Sequence, residues 1–282
     1  MRVLISGIDG FTGIYLEKKL IKKGYEVVGL KSDLTNIDGL NKEIAFIQPE
    51  VVVHLAGLSF INHKEVSKFY EINLIGSLNL LNALERHAEN IHSILLVSSA
   101  NIYDSNYKNK IQESFIINPR NDYAVSKLSM EYMAQLWIDR LPVFLVRPFN
   151  YTGVGQSQEF LIPKIVSHFR NKKRVIELGN IDIYREFGDV RDVVDIYTKL
   201  IEKKQTGKIF NICTGKSYSI KEVIKLCERV SGHCITIKSN TNLIRDNDAK
   251  SLYGDNSYLM GNISKTKWYD LEDTINWMLL HN

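Results

Sequence analysis

The sequence predicts an α/β protein: a doubly wound parallel sheet followed by a smaller C-terminal α/β cap. Short runs rich in Val, Ile and Leu recur without polar alternation, which is typical of strands buried on both faces. Stretches of helical period separate these runs and are long enough for crossover connections. The regular alternation loosens after Pro148, where a second and less regular unit is expected.

The elements follow in order along the chain. The predicted strands of the sheet are 3–6, 26–30, 51–56, 94–98, 143–146 and 208–213. The main helical stretches between them are YLEKKLIKKG, FYEINLIGSLNLLNALERHA and YAVSKLSMEYMAQLWIDR. Between Leu30 and Val51 there is room for little beyond one helix, and the cap has predicted helices near 219–230 and 271–280.

These elements predict two domains. The sheet domain comprises residues 1–148, and residues 191–213 return to it. The cap comprises residues 149–190 and 214–282.

Composition excludes several classes of protein. The chain is 44% hydrophobic and 24% charged, with no low-complexity tract, as expected for a globular protein. The net charge of +4 is spread among acids rather than collected in a basic stripe, so no nucleic-acid partner is predicted. The start MRVLISG enters a strand without a signal sequence, and no apolar run is long enough to span a membrane.

Three cysteines, Cys213, Cys227 and Cys234, form no CxxC pair. An odd number without that spacing argues against a disulfide framework and against a zinc site. His63 and His168 also have no partner at metal-ligand spacing, so no metal is predicted. A reducing cytoplasm is the expected compartment.

A glycine-rich turn follows the first predicted strand. In SGIDGFTG, Gly7, Gly10 and Gly13 recur every three residues, with Phe11 among them, where the first helix begins. Glycines there let the backbone approach a pyrophosphate, which the helix N-terminus then binds. An ordinary strand-to-helix turn is the alternative, but the position favours a Rossmann-type dinucleotide site.

The end of the second strand bears on which dinucleotide binds. No acid directly follows VVGL to bind a ribose 2′-hydroxyl, and Lys31 and Ser32 stand there instead. A cation and a hydroxyl suit a 2′-phosphate, so NADPH is predicted over NADH. Asp33 and Leu34 are the candidates for the adenine edge.

Tyr123 and Lys127 stand four residues apart in NDYAVSK, on one face of a predicted helix. An ammonium near a phenol lowers the phenol's pKa, so this pair predicts a tyrosine that exchanges a proton at a carbonyl. Chance also produces this spacing in a chain with 14 tyrosines, as Tyr15 and Lys19 illustrate. The neighbouring motifs decide between the two interpretations.

Together these motifs resemble the extended short-chain dehydrogenase/reductases that act on nucleotide sugars. The resemblance rests on VVVHLAG, INLIGSLNLL, VSSANIYD, YAVSK, RPFNYTGVGQ, REFGDVRDVV and FNICTG, which come in family order. It implies a catalytic triad of Ser99, Tyr123 and Lys127, with Asn73 supporting a water relay to the lysine. It also implies that Leu55, Ala56 and Gly57 contact the cofactor.

One departure from the family narrows the chemistry. The 4,6-dehydratases of this family carry acids just after the catalytic hydroxyl, whereas Ala100 and Asn101 stand there in this sequence. Elimination needs a base for a carbon-bound proton, and an amide is not one. Hydride transfer to or from a sugar ketone remains. In the reductive direction Tyr123 protonates the alkoxide, Ser99 hydrogen-bonds it, and Lys127 orients the ribose.

Within the family the chain is most similar to GDP-4-keto-6-deoxy-D-mannose reductases, or to reductases of the corresponding heptose, which serve surface-polysaccharide pathways. This implies an NADPH-dependent 4-keto reductase whose substrate is a GDP-linked 4-keto-6-deoxy sugar. The implied substrate-binding residues are Ser59, Ser99, Asn101, Asn150, Lys164, Arg185 and Arg245. Surface ion pairs are the alternative for the charged ones. The resemblance also implies a homodimer through helices around 65–87 and 121–139.

Two other functions remain open. An NAD-dependent nucleotide-sugar 4-epimerase would use the same triad twice, and a non-catalytic nucleotide-sensing protein could share the fold. His54, after the third strand, either backs the cofactor or is a buried histidine satisfied by its neighbours.

Overall fold

The computed structural model describes residues 1–59, 65–104, 109–241, 251–264 and 268–281. Predicted site residue Arg245 and His63 lie outside these ranges. The strands are β1 (Arg2–Ser6), β2 (Glu26–Gly29), β3 (Val51–His54), β4 (Ser93–Val97), β5 (Val143–Pro148), β6 (Tyr151–Thr152), β7 (Val175–Leu178), β8 (Tyr184–Arg185), β9 (Gly188–Asp189), β10 (Ile209–Ile212), β11 (Tyr218–Ser219), β12 (Thr236–Ser239) and β13 (Ser251–Leu252). The α-helices are α1 (Phe11–Lys22), α2 (Ile37–Ile47), α3 (Ser67–Tyr70), α4 (Ser77–His87), α5 (Asp122–Gln135), α6 (Leu161–Arg170), α7 (Val190–Ile201), α8 (Ile220–Ser231), α9 (Ser257–Asn262) and α10 (Leu271–Leu280).

The central sheet confirms the predicted fold class. Its six strands are all parallel and run in the order β10-β5-β4-β3-β1-β2. The order reverses beside β1, which has β2 on one side and β3 on the other. In open α/β sheets ligands bind outside the carboxyl ends of the strands at such a switch point. The fold therefore places the candidate site beyond Ser6 and His54.

Two apolar cores cover the faces of this sheet. One packs α1 and α7 against residues such as Val3, Val53 and Phe144, and the other packs α2, α4 and α5 against the opposite face. A third core joins α6, α8 and α10 of the C-terminal half. The division into two domains, with its boundaries, stays a prediction.

The predicted third strand is too long by two residues. The Leu55 amide makes the last bond to β1, to the Ser6 carbonyl, and the Ala56 amide then bonds to the Ser6 hydroxyl rather than to a backbone carbonyl, at 3.1 Å each, so the pairing ends at His54. Residues 55–57 are therefore a loop at the carboxyl edge of the sheet.

Two predicted helices also differ from the structure. The long stretch before residue 87 is broken by a π-helix, Glu71–Gly76, between α3 and α4. Helix α5 ends at Gln135 rather than near Arg140, since the next amides, of Leu136 and Trp137, bond three residues back and tighten the chain.

No helix within the described ranges is both long and apolar enough to cross a membrane. The same residues contain no cluster of His, Cys, Asp and Glu that could hold a metal ion. All three cysteines are free; Cys213 and Cys227 are buried and Cys234 is exposed.

Candidate active site

The glycine turn after β1 fits the approach of a phosphate. Gly7 has φ +71°, and a Cβ there would lie 2.9 Å from the Ala56 amide nitrogen. A Cβ on Gly13 would strike the carbonyls of Gly7 and Ile8, with the Ile8 carbonyl carbon at 2.6 Å. Helix α1 begins after Gly10 without a side-chain cap, so its first amides can bind an anion. These features fit a nicotinamide dinucleotide.

The loop after β2 contains a carboxylate that sequence reasoning missed. Glu43 of α2 accepts hydrogen bonds from the amides of Lys31, at 2.8 Å, and Ser32, at 2.7 Å. Burial raises the pKa of Glu43, but the bonds from Ser32 and Lys31 and the Lys31 charge outweigh it, so the pKa falls below its usual value. The acid absent after β2 in sequence is thus supplied by the following helix.

The two residues predicted at the adenine edge separate. Asp33 is exposed and accepts from the amide and hydroxyl of Thr35 at 2.8 and 2.7 Å. Leu34 is buried in the core, where its Cβ would lie 2.8 Å from a Cβ on Gly76. Only Asp33 is therefore open to a ligand in this structure.

Gly57 is the point where the loop after β3 meets the predicted catalytic lysine. A Cβ on Gly57 would lie 2.8 Å from Asn73 Oδ1 and 3.1 Å from Lys127 Nζ. Leu55 packs against the first core and Ala56 against the second, at the carboxyl edge of the sheet. Gly57 and Lys127 thus come together, whereas Leu55 and Ala56 pack into the two cores.

His54 is a buried histidine with both ring nitrogens bonded, as one of the two interpretations predicted. Its Nδ1 lies 2.6 Å from Ser6 Oγ and its Nε2 lies 2.9 Å from Ser77 Oγ. Burial first, and then the charge of Lys127, lower the pKa of His54 to about 3. The ring is therefore neutral at physiological pH.

Ser99, Tyr123 and Lys127 lie together in the interior, with 6%, 7% and 5% of their surfaces exposed. Ser99 lies two residues beyond β4, and its Oγ accepts the Asn101 amide at 3.1 Å and hydrogen-bonds the Tyr123 side chain. Tyr123 lies in the first turn of α5, which Asn121 caps by accepting the Ala124 amide at 2.9 Å.

The neighbouring Ser98 differs from Ser99. Its hydroxyl is buried and has no hydrogen-bond partner among the described residues. Ser99, not Ser98, therefore contacts the tyrosine, as the family pattern implied.

The predicted effect of Lys127 on Tyr123 is wrong for this structure. Burial raises the pKa of Tyr123 to about 12, and the Ser99 hydrogen bond lowers it only in part. The Lys127 ammonium donates to the Val97 carbonyl at 2.9 Å, and burial lowers its pKa to about 8. Tyr123 therefore keeps its proton at neutral pH.

Asn73 lies in the π-helix and connects two parts of the site. Its Oδ1 accepts the Leu58 amide at 2.9 Å, and its Nδ2 donates to the Leu58 carbonyl at 3.2 Å and to Ser126 Oγ at 3.0 Å. Asn73 thus fixes the loop after β3 to α5. Its role in a water relay stays a prediction.

A buried ionic network, also missed from sequence, holds the segment that follows Ser99. Arg147 pairs with Glu131 at 2.7 Å and donates to Tyr103 Oη at 2.8 Å, and Tyr103 donates to Asn211 Oδ1 at 2.7 Å. Ala100 of the intervening turn is buried. Tyr103 and Arg147 lie in the segments VSSANIYD and RPFNYTGVGQ, which carry the family resemblance, and this membership was the one sequence signal that could have pointed to the network.

The predicted substrate residues fall into two groups. Ser59 and Asn150 are exposed beyond β3 and β5, and Asn101 follows β4, so these three share the sheet edge with Ser99. Lys164 and Arg185 belong to the cap. Lys164 Nζ donates to the Glu177 carbonyl at 2.9 Å, and Arg185 is 9% exposed and donates to the Tyr184 carbonyl at 2.9 Å.

The Rossmann-type sheet, the uncapped glycine turn and the buried Ser99, Tyr123 and Lys127 define the class of short-chain dehydrogenase/reductases. Residues 3–213 match the family described as "NAD dependent epimerase/dehydratase family". The chain belongs to this family and is an NAD(P)-dependent oxidoreductase.

Several relatives are similar over most of their length. GDP-6-deoxy-D-talose 4-dehydrogenase of Aggregatibacter actinomycetemcomitans is 36% identical over 267 residues, covering 92% of this chain and 90% of that protein. GDP-6-deoxy-D-mannose reductase of Pseudomonas aeruginosa is 32% identical over 240 residues, covering 80% and 78%. The structure of RMD from Pseudomonas aeruginosa complexed with NADPH matches with a TM-score of 0.89 and 28% identity, covering 99% and 96%.

Proposed function

We propose that this enzyme reduces the C4 ketone of a GDP-linked 4-keto-6-deoxy sugar, using a reduced nicotinamide dinucleotide. The observation that carries the proposal is the buried Tyr123, which bonds Ser99 and lies four residues from the buried Lys127 on the same helix. A phenol that keeps its proton at neutral pH is the acid that a forming alkoxide needs. The names of the two sequence relatives, a 4-dehydrogenase and a reductase of GDP-deoxy sugars, support the substrate class.

The bound cofactor supplies the hydride that adds to the ketone carbon. Ser99 Oγ and Tyr123 Oη hydrogen-bond the ketone oxygen, and Tyr123 gives it a proton as the negative charge develops. Lys127, whose ammonium donates to the Val97 carbonyl at 2.9 Å, would bind the ribose of the cofactor. The complete triad also favours catalysis over nucleotide sensing.

The turn after Ser99 argues against dehydration. Ala100 and Asn101 offer a methyl group and an amide there, neither of which can remove a carbon-bound proton. The carboxylate of Glu131 is no substitute, because it is 1% exposed and paired with Arg147. The site therefore suits hydride transfer without elimination.

The activity test makes GDP-4-keto-6-deoxymannose in situ with a dehydratase and then adds this protein with NADH or NADPH. We expect the absorbance of the reduced cofactor to fall, and NMR of the sugar to show one C4 epimer. Tyr123→Phe should lower kcat by about 10²- to 10⁴-fold, the range of general acid catalysis. Tyr132→Phe is the matched control, because Tyr132 lies on the same helix and is 56% exposed.

Other outcomes would point elsewhere. No cofactor oxidation with any keto-sugar nucleotide would contradict the proposal. Interconversion of C4 epimers by protein that retains NAD, without net oxidation, would instead indicate a 4-epimerase.

The proposed assembly is a homodimer formed through α4, α5 and the π-helix that directly precedes α4, which pack together. Ile75 of the π-helix, Tyr132 of α5 and Leu136, which directly follows α5, are 45%, 56% and 75% exposed. A second copy of the chain would bury these apolar side chains. The cytoplasm stays the predicted compartment.

A further inference from the structure

The loop after β2 lies where an adenosine ribose is held in a fold of this kind, about 20 residues beyond the glycine turn. Lys31 and Ser32 occupy this loop, and neither carries a carboxylate. The carboxylate of Glu43, which belongs to α2, reaches this loop. Each of its oxygens accepts a hydrogen bond from one of the two loop amides, at 2.8 and 2.7 Å. The loop thus contains an acid that is not visible in its own sequence.

Packing fixes the register of the helix that carries Glu43. Leu40, Ile44 and Ile47 of α2 are buried in the second core. Asn36 caps the helix by accepting the Gly39 amide at 3.0 Å, and a Cβ on Gly39 would lie 3.2 Å from Ser32 Oγ. The helix cannot slide without exposing its apolar face, so Glu43 stays beside the loop.

The charges of the loop favour a neutral hydroxyl over a phosphate. The amides of Lys31 and Ser32, which could bind a phosphate, are already bonded to Glu43. The Lys31 charge acts on Glu43 and is offset by it. The Ser32 hydroxyl also hydrogen-bonds Glu43, so three donors leave one of the roughly four acceptor sites of the carboxylate for a ribose hydroxyl, whereas a phosphate dianion at the same place would be repelled.

We propose that Glu43 is the specificity-determining residue for the cofactor: its carboxylate accepts the adenosine ribose 2′-hydroxyl and disfavours a 2′-phosphate, so the enzyme prefers NADH. The inference rests on the dinucleotide site of the proposed function. It reverses the preference for NADPH predicted from Lys31 and Ser32, because those two residues do not act alone.

Equilibrium binding tests this inference without turnover. Dissociation constants are measured by calorimetry for NADH and NADPH, and for the fragments adenosine 5′-monophosphate and adenosine 2′,5′-bisphosphate. We expect the unmodified protein to bind NADH and the monophosphate more tightly. Two ratios of dissociation constants are compared: NADH to NADPH, and the monophosphate to the bisphosphate. Glu43→Gln keeps the size of the side chain and removes its charge, so each ratio should shift at least about tenfold in favour of the 2′-phosphorylated ligand.

Asp38→Asn is the matched control, because it removes the same charge from the first turn of the same helix. It should leave both ratios unchanged, and unfolding curves verify that each variant is folded. Preference of the unmodified protein for NADPH, or equal shifts in the two variants, would overturn the inference.

The test also separates this inference from the proposed function. Selectivity for NADH without ketone reduction would contradict the function and leave the role of Glu43 standing. Failure of all four ligands to bind would overturn the dinucleotide site on which both depend.

Discussion

At the scale of single residues, burial determines the protonation states around the candidate site. His54 is held neutral between two serine hydroxyls, with the Lys127 ammonium near enough to act on it. Tyr123 is held in its protonated form by the same exclusion of water. Burial beside the Lys127 cation thus keeps both His54 and Tyr123 uncharged.

This arrangement predicts a pH-dependent stability. The pKa of His54 is lowered to about 3 in the folded state, below its value in the unfolded chain. The neutral ring therefore contributes its full stability at pH values above the unfolded pKa. This contribution is lost as the pH falls toward the folded-state pKa. Between about pH 6.5 and pH 5 the loss should be about 2 kcal/mol. The His54→Asn variant should have a lower free energy of unfolding than the unmodified protein at neutral pH. On acidification from about pH 6.5 to about pH 5, that free energy should fall by less than it does in the unmodified protein.

Urea unfolding at both pH values measures this difference. His92→Asn is the matched control, because His92 is 61% exposed, and it should show the pH dependence of the unmodified protein. An unchanged loss in His54→Asn would contradict the assignment to His54.

At the scale of elements, the glycine turn and the π-helix both shape the site through the backbone. Gly13 sits in the first turn of α1, directly against the carbonyls of Gly7 and Ile8. The π-helix turns Asn73 toward the Leu58 backbone. Single π-helical turns are frequent at functional sites because one extra residue re-aims a side chain.

The glycine turn gives a prediction about backbone packing. Gly13→Ala should destabilise the protein by about 2–3 kcal/mol, because backbone atoms cannot move aside for the new methyl group. Calorimetry should also show weaker binding of a dinucleotide. Gly261→Ala is the matched control in α9, where a Cβ would meet no atom within 4 Å, and it should cost no stability. Equal effects of both changes would contradict the role given to Gly13.

The sequence predicted the sheet well because each strand is a continuous apolar run. It also predicted that Tyr123 and Lys127 lie close together, because residues at positions i and i+4 share one face of a helix. Periodicity could not reveal the π-helix, since one inserted residue barely changes an apolar pattern. It could not place Glu43 either, because that contact joins two elements through tertiary packing. Burial, which reversed the expected pKa shift of Tyr123, depends on the whole fold.

At the scale of the whole molecule, the exposed apolar side chains on α5 and its neighbours bear on assembly. The double change Tyr132→Glu with Leu136→Glu should convert the proposed dimer to a monomer, because four charges would face each other across a two-fold axis. Sedimentation velocity measures the change. Phe46→Glu is the control, because Phe46 is 87% exposed on α2, outside the proposed interface. A monomeric unmodified protein would contradict the proposal.

The pairing of β10 with β5 affects how the nascent chain folds during synthesis. Five strands of the sheet are complete by Pro148, but the outer edge of β5 gains its partner only when Ile209–Ile212 has been made. At about 5–20 residues per second, the nascent chain carries an open, apolar edge for several seconds. Such an edge invites pairing with another chain. A fragment that stops near residue 150 would keep this edge permanently, so we expect it to aggregate unless residues 209–212 are present.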